Sequence, residues 1–163
     1  MHANVERVLA ALRAAGVDPA VRETTESTAT AREAAEAVGT TVDRIVKSLL
    51  WLADGQPVLA LVSGAHRVDE AKLARALAVL LGREPDDVRR ADATTVKQVT
   101  GFPVGGVPPV GHARPLPTVI DQSLVADGEA TLWAAAGTPR AVFPVTAAEL
   151  LRLTGGRPAE IAE

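Results

Sequence analysis

The fold of this chain is decided by residues 31–51, AREAAEAVGTTVDRIVKSLLW. The first part predicts a helix, because Thr30 and Glu33 have the spacing of a capping box and Gly39 follows as a terminator. The second part is ambiguous, since its apolar residues fit either a second helix or a β-strand. A second helix would make a DNA-binding helix-turn-helix, whereas a strand would present Lys47 to a cleft.

The residues that follow favour the strand. Asp54-Gly55 lies between two apolar runs, which is the strongest short-range signal of a β-hairpin. A hairpin requires a first strand over residues 46–52 and a second over residues 58–62. Because side chains alternate between the faces of a strand, Lys47 is predicted to share one face with Trp51.

The other segments alternate between helical and strand patterns. Helices are predicted over residues 5–12, 68–82, 94–101 and 146–155, and strands over residues 17–24, 118–121, 129–137 and 140–145. A further short strand is allowed within residues 83–92. This interleaving predicts an α/β or α+β fold with a mixed sheet. Without repeats or an internal boundary, we expect residues 1–163 to form one domain.

Composition excludes several kinds of chemistry. The chain has no Cys, which excludes disulfides, thiolate catalysis and Cys-based zinc sites. The three His are scattered without metal-ligand spacing, so neither a metal nor another cofactor is expected. No phosphate-binding glycine loop of the Gly-x-x-x-x-Gly-Lys type and no serine-hydrolase elbow is present.

Charge and hydropathy narrow the possible partners. The net charge of −3 argues against long-duplex binding as the main activity, because proteins held by phosphate contacts are usually basic. DNA is therefore not an expected partner. The sequence predicts neither a signal peptide nor a membrane span, and the absence of Cys is compatible with the cytoplasm, where we expect the protein to act.

Two features of the sequence are candidates for a site. Lys47 lies among apolar residues, so its ammonium must either extend to water or meet an anionic partner, such as a phosphate. Residues 101–117 contain four glycines and five prolines interleaved with apolar residues, which indicates an irregular loop that packs against the protein. Asp121, at a strand end in apolar surroundings, is either a site residue or a turn residue.

Three segments of the chain resemble the YbaK and prolyl-tRNA synthetase-associated family of aminoacyl-tRNA editing domains. These segments are residues 44–51, residues 99–121 and the C-terminal residues 132–161. The resemblance implies a mixed sheet with partial barrel character surrounded by helices. It also implies hydrolysis of mischarged aminoacyl-tRNA without a protein nucleophile.

The resemblance assigns roles to particular residues. The catalytic lysine of the family falls on Lys47, and its Gly-x-x-x-Pro loop runs from Gly105 to Pro109. In the family scheme the lysine holds the 3′-terminal nucleotide while a water near the glycine loop breaks the ester. The residues then predicted to contact the substrate are Gly101, Gly106, Gly137 and Asp121.

The function that the resemblance implies is trans-editing. The substrate would be a mischarged tRNA, with tRNA(Pro) carrying a small amino acid as the main candidate. A single binding site distinguishes small side chains only weakly, so a synthetase that mischarges its tRNA with one of them needs a second site to remove it. The partners would be the tRNA acceptor end and prolyl-tRNA synthetase. The alternatives are a catalytically silent tRNA-end binder and a helix-turn-helix DNA-binding module.

Overall fold

The protein folds as a mixed β-sheet surrounded by helices. The computed structural model describes residues 1–163. Its helices are α1 (Ala3–Ala14), α2 (Ala31–Val38), α3 (Glu70–Leu81), α4 (Ala93–Thr100) and α5 (Ala147–Thr154). Its strands are β1 (Arg22–Glu23), β2 (Ile45–Ala53), β3 (Gln56–Ser63), β4 (Val88–Arg90), β5 (Thr118–Asp121), β6 (Thr131–Ala135), β7 (Ala141–Thr146) and β8 (Arg157–Ala159).

The sheet has the strand order β1-β7-β6-β2-β3-β5-β8, and β4 pairs with β2 outside this path. The pairs β2–β3, β2–β4, β6–β7 and β1–β7 are antiparallel, whereas β2–β6, β3–β5 and β5–β8 are parallel. The predicted mixed sheet with surrounding helices is therefore confirmed. The sheet does not close on itself, because β1 and β8 are its two ends.

The central hairpin settles the ambiguity of residues 31–51. Asp54 and Gly55 have positive φ angles of 48° and 82°, which is the backbone that a two-residue hairpin turn requires. β2 and β3 then pair from Val46 opposite Ser63 down to the turn. The helix-turn-helix interpretation is wrong, because a strand follows α2 where the second helix would lie.

Both faces of β2 contact a core, as its nearly continuous apolar sequence requires, and residues 47–49 are only partly buried. Val46 and Leu50 belong to the larger core, which also contains the buried side chain of Phe102. On the other face, Trp51 packs in a second core with Leu73 of α3. A strand covered on both faces is held in place along its length, so it is a rigid support for a functional side chain.

Two capping boxes fix the ends of short helices beside the sheet. Thr30 accepts a hydrogen bond from the Glu33 N–H at the start of α2, and Thr146 accepts one from the Glu149 N–H at the start of α5. The first was predicted from the spacing of threonine and glutamate, and the same spacing occurs at Thr146 and Glu149. No helix of the structure combines the length and hydrophobicity that a membrane crossing requires.

Two strand predictions differ from the structure. The strand predicted over residues 17–24 is reduced to Arg22–Glu23, which pairs with the edge of β7. The three-residue β8 after α5 was not predicted at all, and it pairs in parallel with β5. Strands this short carry too few residues for alternation to be visible, so only their long-range partners define them.

Candidate active site

A gap in the pairing of β2 creates the candidate site. On one edge of β2 the ladder to β6 ends at Val46, and the ladder to β4 begins only at Trp51. The segment between them, residues 47–50, therefore has no paired strand on this edge. The Ala91 N–H donates to the Leu50 carbonyl (3.1 Å) on this side, and by alternation the Ser48 main chain also faces the gap.

An apolar cavity of about 470 Å³ lies at this gap. Lys47 is the only ionisable side chain among the residues that line it. The walls come from the start of α2, from β2, from β6 and β7, and from the glycine- and proline-rich loop: Thr28, Ala29, Thr30, Ala31, Ala34, Ile45, Val46, Ser48, Leu49, Val104, Gly105, Val107, Trp133, Ala134, Ala135 and Val142. The cavity can accept a small aliphatic group beside one cation.

The ammonium of Lys47 is held by the main chain. Its Nζ donates a hydrogen bond to the carbonyl oxygen of His66 (2.5 Å). Burial lowers the pKa of Lys47, the positive charges of Arg90 and Arg67 lower it further, and Asp121 partly opposes them. No carboxylate forms an ion pair with this ammonium, so it has capacity for an anionic ligand.

Asp121 supports the residue that holds Lys47. Its carboxylate is almost fully buried, and one oxygen lies 2.7 Å from Nδ1 of His66. Burial alone would raise the pKa of Asp121, but hydrogen bonds from His66, from the Ser123 side chain and from the main-chain N–H groups of Ser63 and Ser123 outweigh it and lower the pKa. The carboxylate therefore remains ionised and fixes the His66 ring.

The glycine- and proline-rich loop forms part of the wall of the cavity that Lys47 lines. Gly105 has a φ of 84°, and a Cβ at this position would lie 2.9 Å from the Cβ of Ala29. Glycine is required here because any side chain would push the loop away from the residues before α2. The His112 ring fixes the other end of the loop, since its Nε2 lies 2.7 Å from the Pro108 carbonyl oxygen and donates to it.

The structure brings only some of the predicted site residues together. Lys47 and Gly105 line the same cavity. Gly106 belongs to the loop but does not line the cavity, and its carbonyl oxygen accepts a hydrogen bond from the Gly137 N–H (2.9 Å). Asp121 reaches Lys47 through His66. Like Gly106, Gly137 and Asp121, the remaining two predicted residues do not line the cavity.

Those two residues have other surroundings. Gly101 ends α4 with a left-handed conformation, and its carbonyl accepts a hydrogen bond from Arg7 (2.7 Å). Pro109 is buried and lines a separate depression near His112. Gly101 begins the loop that carries Gly105, and Pro109 lies in the middle of that loop.

Several residues of the site had no signal in the sequence. The main-chain carbonyl that holds Lys47 belongs to His66, whose partner Asp121 is 55 positions away. The wall residues Ala29, Trp133 and Ala135 come from two separate segments, the residues before α2 and the strand β6. The one signal available was the rarity of aromatic residues, which make up only 2% of the chain and so single out Trp133.

Comparison with known proteins agrees with this architecture. Residues 25–153 match the family described as "Aminoacyl-tRNA editing domain". The match spans most of the chain, and the chain belongs to this family. The resemblance predicted from the three sequence segments is therefore confirmed.

The curated relatives are much longer proteins. The chain is 38% identical over 115 residues to the proline–tRNA ligase of Desulforamulus reducens, which covers 67% of this chain and 19% of that ligase. It is 45% identical over 74 residues to the proline–tRNA ligase of Geobacter metallireducens, which covers 45% of this chain and 12% of that ligase. The chain thus corresponds to a small part of each ligase.

Solved structures of similar size share the complete fold. A candidate trans-editing enzyme for prolyl-tRNA synthetase is 43% identical, with a TM-score of 0.88 and coverage of 100% of this chain and 99% of that one. The hypothetical protein APE2540 is 28% identical, with a TM-score of 0.82 and coverage of 96% and 99%.

Proposed function

We propose that residues 1–163 act as one trans-editing domain that hydrolyses the ester of a mischarged aminoacyl-tRNA. The observation that carries this proposal is the position of Lys47 at an apolar cavity of about 470 Å³ that the Gly105 loop also lines. Membership in the editing family and the similarity to a candidate trans-editing enzyme support a deacylase. The substrate we propose is tRNA(Pro) that carries a small amino acid.

The cavity suits a reaction in which the protein positions the substrate and provides no nucleophile. The amino-acid side chain occupies the apolar cavity, and the Lys47 ammonium holds a phosphate of the 3′-terminal nucleotide. A water attacks the ester carbonyl carbon, the bond to the ribose oxygen breaks, and that oxygen takes up a proton. The chain's contribution is orientation, which alone can account for a large part of a rate enhancement.

The predicted residues divide into two roles under this proposal. Lys47 and Gly105 contact the substrate, because both line the cavity. Pro109, Gly101, Gly106 and Gly137 hold the loop in shape behind it, and Asp121 positions Lys47 through His66. The tRNA acceptor end is the proposed partner, prolyl-tRNA synthetase is a further one, and the cytoplasm is the proposed location.

A panel of charged tRNAs tests the proposal. The protein and its Lys47→Ala variant are incubated with tRNA(Pro) charged with Ala, Ser, Cys, Thr or Pro, and ester loss is measured. We expect one mischarged species to be hydrolysed and the Lys47→Ala variant to lose roughly 100-fold or more of that rate. Lys97→Ala, which removes an exposed lysine that does not line the cavity, serves as the control.

Two outcomes would contradict the proposal. If no charged tRNA is hydrolysed by the folded protein, the chain is not a deacylase, and retained tRNA binding would favour the silent tRNA-end binder. If hydrolysis occurs equally in the Lys47→Ala and Lys97→Ala variants, the site lies elsewhere in the molecule.

A further inference from the structure

A second cavity adjoins the apolar one. It has a volume of about 940 Å³ and shares Lys47 and Leu49 with the apolar cavity, so the two meet at the lysine. We call it the polar groove. Its walls come from the end of β2, the start of α3 and the strand β4, and its characteristic side chains are Trp51, Arg67, Asp69, Glu70, Arg90 and Glu163.

Arg90 is the unusual residue of the polar groove. Its guanidinium lies over the Trp51 ring, 5.4 Å from the ring centroid, and burial lowers its pKa. It forms no ion pair. By contrast, Arg89 of the same strand pairs with Asp87 (2.7 Å), and Lys72 of α3 pairs with Glu160 (3.0 Å). A guanidinium that lies over an indole ring at an exposed position, without a counter-ion, has its hydrogen-bond donors available for a ligand.

Two of the three carboxylates of the polar groove have partners of their own. Asp69 accepts a hydrogen bond from the Lys72 N–H as the cap of α3, and Glu163 faces Arg67 at 3.9 Å. Glu70 is exposed. Arg90 and Arg67 both lower the pKa of Lys47, and the one carboxylate that raises it, Asp121, does not line the groove and is hydrogen-bonded to His66. The groove residues that act on the charge of Lys47 are therefore both cations.

We propose that the polar groove binds the phosphodiester backbone of the single-stranded 3′ end of an RNA, with Arg90 as the phosphate ligand next to Lys47. The inference rests on the proposed function, because it assigns a place to the nucleotides that precede the ester. A planar guanidinium fixed on an indole ring is suited to bidentate contact with a phosphate. The groove has twice the volume of the apolar cavity and continues from it at Lys47.

The test uses an uncharged probe, so that it does not depend on hydrolysis. A fluorescein-labelled ACCA RNA tetranucleotide with a free 3′ hydroxyl is titrated with the full chain, and binding is followed by anisotropy at several salt concentrations. We expect Arg90→Gln to weaken binding roughly tenfold. We also expect the slope of log K against log salt to decrease by about 0.7, the value for one lost phosphate contact on a single strand.

Arg89→Gln is the matched control. It removes the same charge one residue away on the opposite face of β4, from a side chain that lines neither cavity and is paired with Asp87. We expect its affinity to remain within about twofold of the wild type. Arg67→Gln changes a side chain that is 87% exposed, so it tests the groove with little risk to folding. Its expected loss is about threefold, and Arg90→Lys should recover part of the loss caused by Arg90→Gln.

The outcomes separate this inference from the proposed function. Equal effects of Arg90→Gln and Arg89→Gln, or equally tight Arg90-dependent binding of a blunt RNA duplex, would overturn the inference. If a charged tRNA is hydrolysed but binding of the tetranucleotide does not depend on Arg90, the inference about the polar groove is wrong and the proposed deacylase function stands. If binding depends on Arg90 but no charged tRNA is hydrolysed, the proposed deacylase function is wrong and the inference about the polar groove stands.

Discussion

Lys47 and His66 are joined by a hydrogen bond of 2.5 Å from the lysine ammonium to the histidine carbonyl oxygen. The His66 ring in turn lies 2.7 Å from the buried carboxylate of Asp121. The turn after β3 is therefore fixed by Asp121 from one side and contacts Lys47 on the other. We propose that Asp121 acts on the site by positioning Lys47, although it does not line the cavity itself.

Replacement of Asp121 tests this relationship. Asp121→Asn keeps the shape of the side chain but removes the charge that fixes the His66 ring, so the carbonyl that holds Lys47 becomes less ordered. We expect the deacylation rate at saturating substrate to fall about tenfold or more, because small displacements of a positioning group are costly. Asp127→Asn, at an exposed position, is the control. Equal rates for the two variants would contradict the positioning role.

The pH dependence of deacylation provides a second test. If the protonated Lys47 is the active form, its lowered pKa limits activity at a pH below the usual lysine range. Arg90→Gln removes a positive neighbour and should move this alkaline limit to higher pH. Asp121→Asn removes a negative neighbour and should move it to lower pH. The measurement is the saturated rate against pH after subtraction of spontaneous ester hydrolysis, and shifts in the same direction would contradict the assignment.

The two capping boxes allow stability and activity to be separated. Thr30→Ala and Thr146→Ala each remove a comparable helix cap, at a cost of about 1 kcal/mol in the free energy of unfolding. Only Thr30 lines the cavity. We therefore expect similar losses in denaturant unfolding for both variants and a loss of deacylation for Thr30→Ala alone. A comparable loss of activity in Thr146→Ala would indicate that global stability, and not the wall of the cavity, limits turnover.

The sequence was sufficient where structure is determined by near neighbours. The Asp54-Gly55 turn identified the hairpin and hence the strand that carries Lys47, because only certain residues adopt the backbone of that turn. The capping box at Thr30 and the terminator Gly39 gave the bounds of α2 for the same reason. The family resemblance added the loop that contains Gly105, which alternation alone could not assign to a site.

The sequence was insufficient where the partner is remote. The contact between His66 and Asp121 joins a turn to a strand end 55 positions later, and neither residue follows a period that would reveal it. β8 is defined only by its parallel pairing with β5. The gap on β2 is set by where its pairing with β6 ends and its pairing with β4 begins. Neither register can be read from a local sequence pattern, so the cavity could not be located before the fold was known.

Gly105 and Gly111 form a matched pair for a test of the loop. Both have positive φ angles, of 84° and 80°, so alanine introduces similar backbone strain of about 1–2 kcal/mol at either position. A Cβ at Gly105 would lie 2.9 Å from the Ala29 Cβ, whereas one at Gly111 would make an ordinary contact of 3.5 Å. We expect both variants to lose stability in thermal unfolding and only Gly105→Ala to lose deacylation. Full activity in folded Gly105→Ala would show that this wall does not shape the ester site.

The size of the apolar cavity should determine which amino acid is removed. Ala135 lines the cavity from β6 and is only partly buried, so Ala135→Val adds two methyl groups to the wall without filling the core. Because a pocket distinguishes side chains by roughly 1–3 kcal/mol per methylene, we expect hydrolysis of the larger aminoacyl groups to fall at least about tenfold relative to alanyl-tRNA. Ala135→Ser, which is similar in size to the wild type, is the control and should keep the original order of substrates. The measurement is kcat/KM for each charged tRNA of the panel. A uniform decrease for all aminoacyl groups in Ala135→Val would mean that this wall faces the nucleotide, and that the amino-acid side chain binds elsewhere.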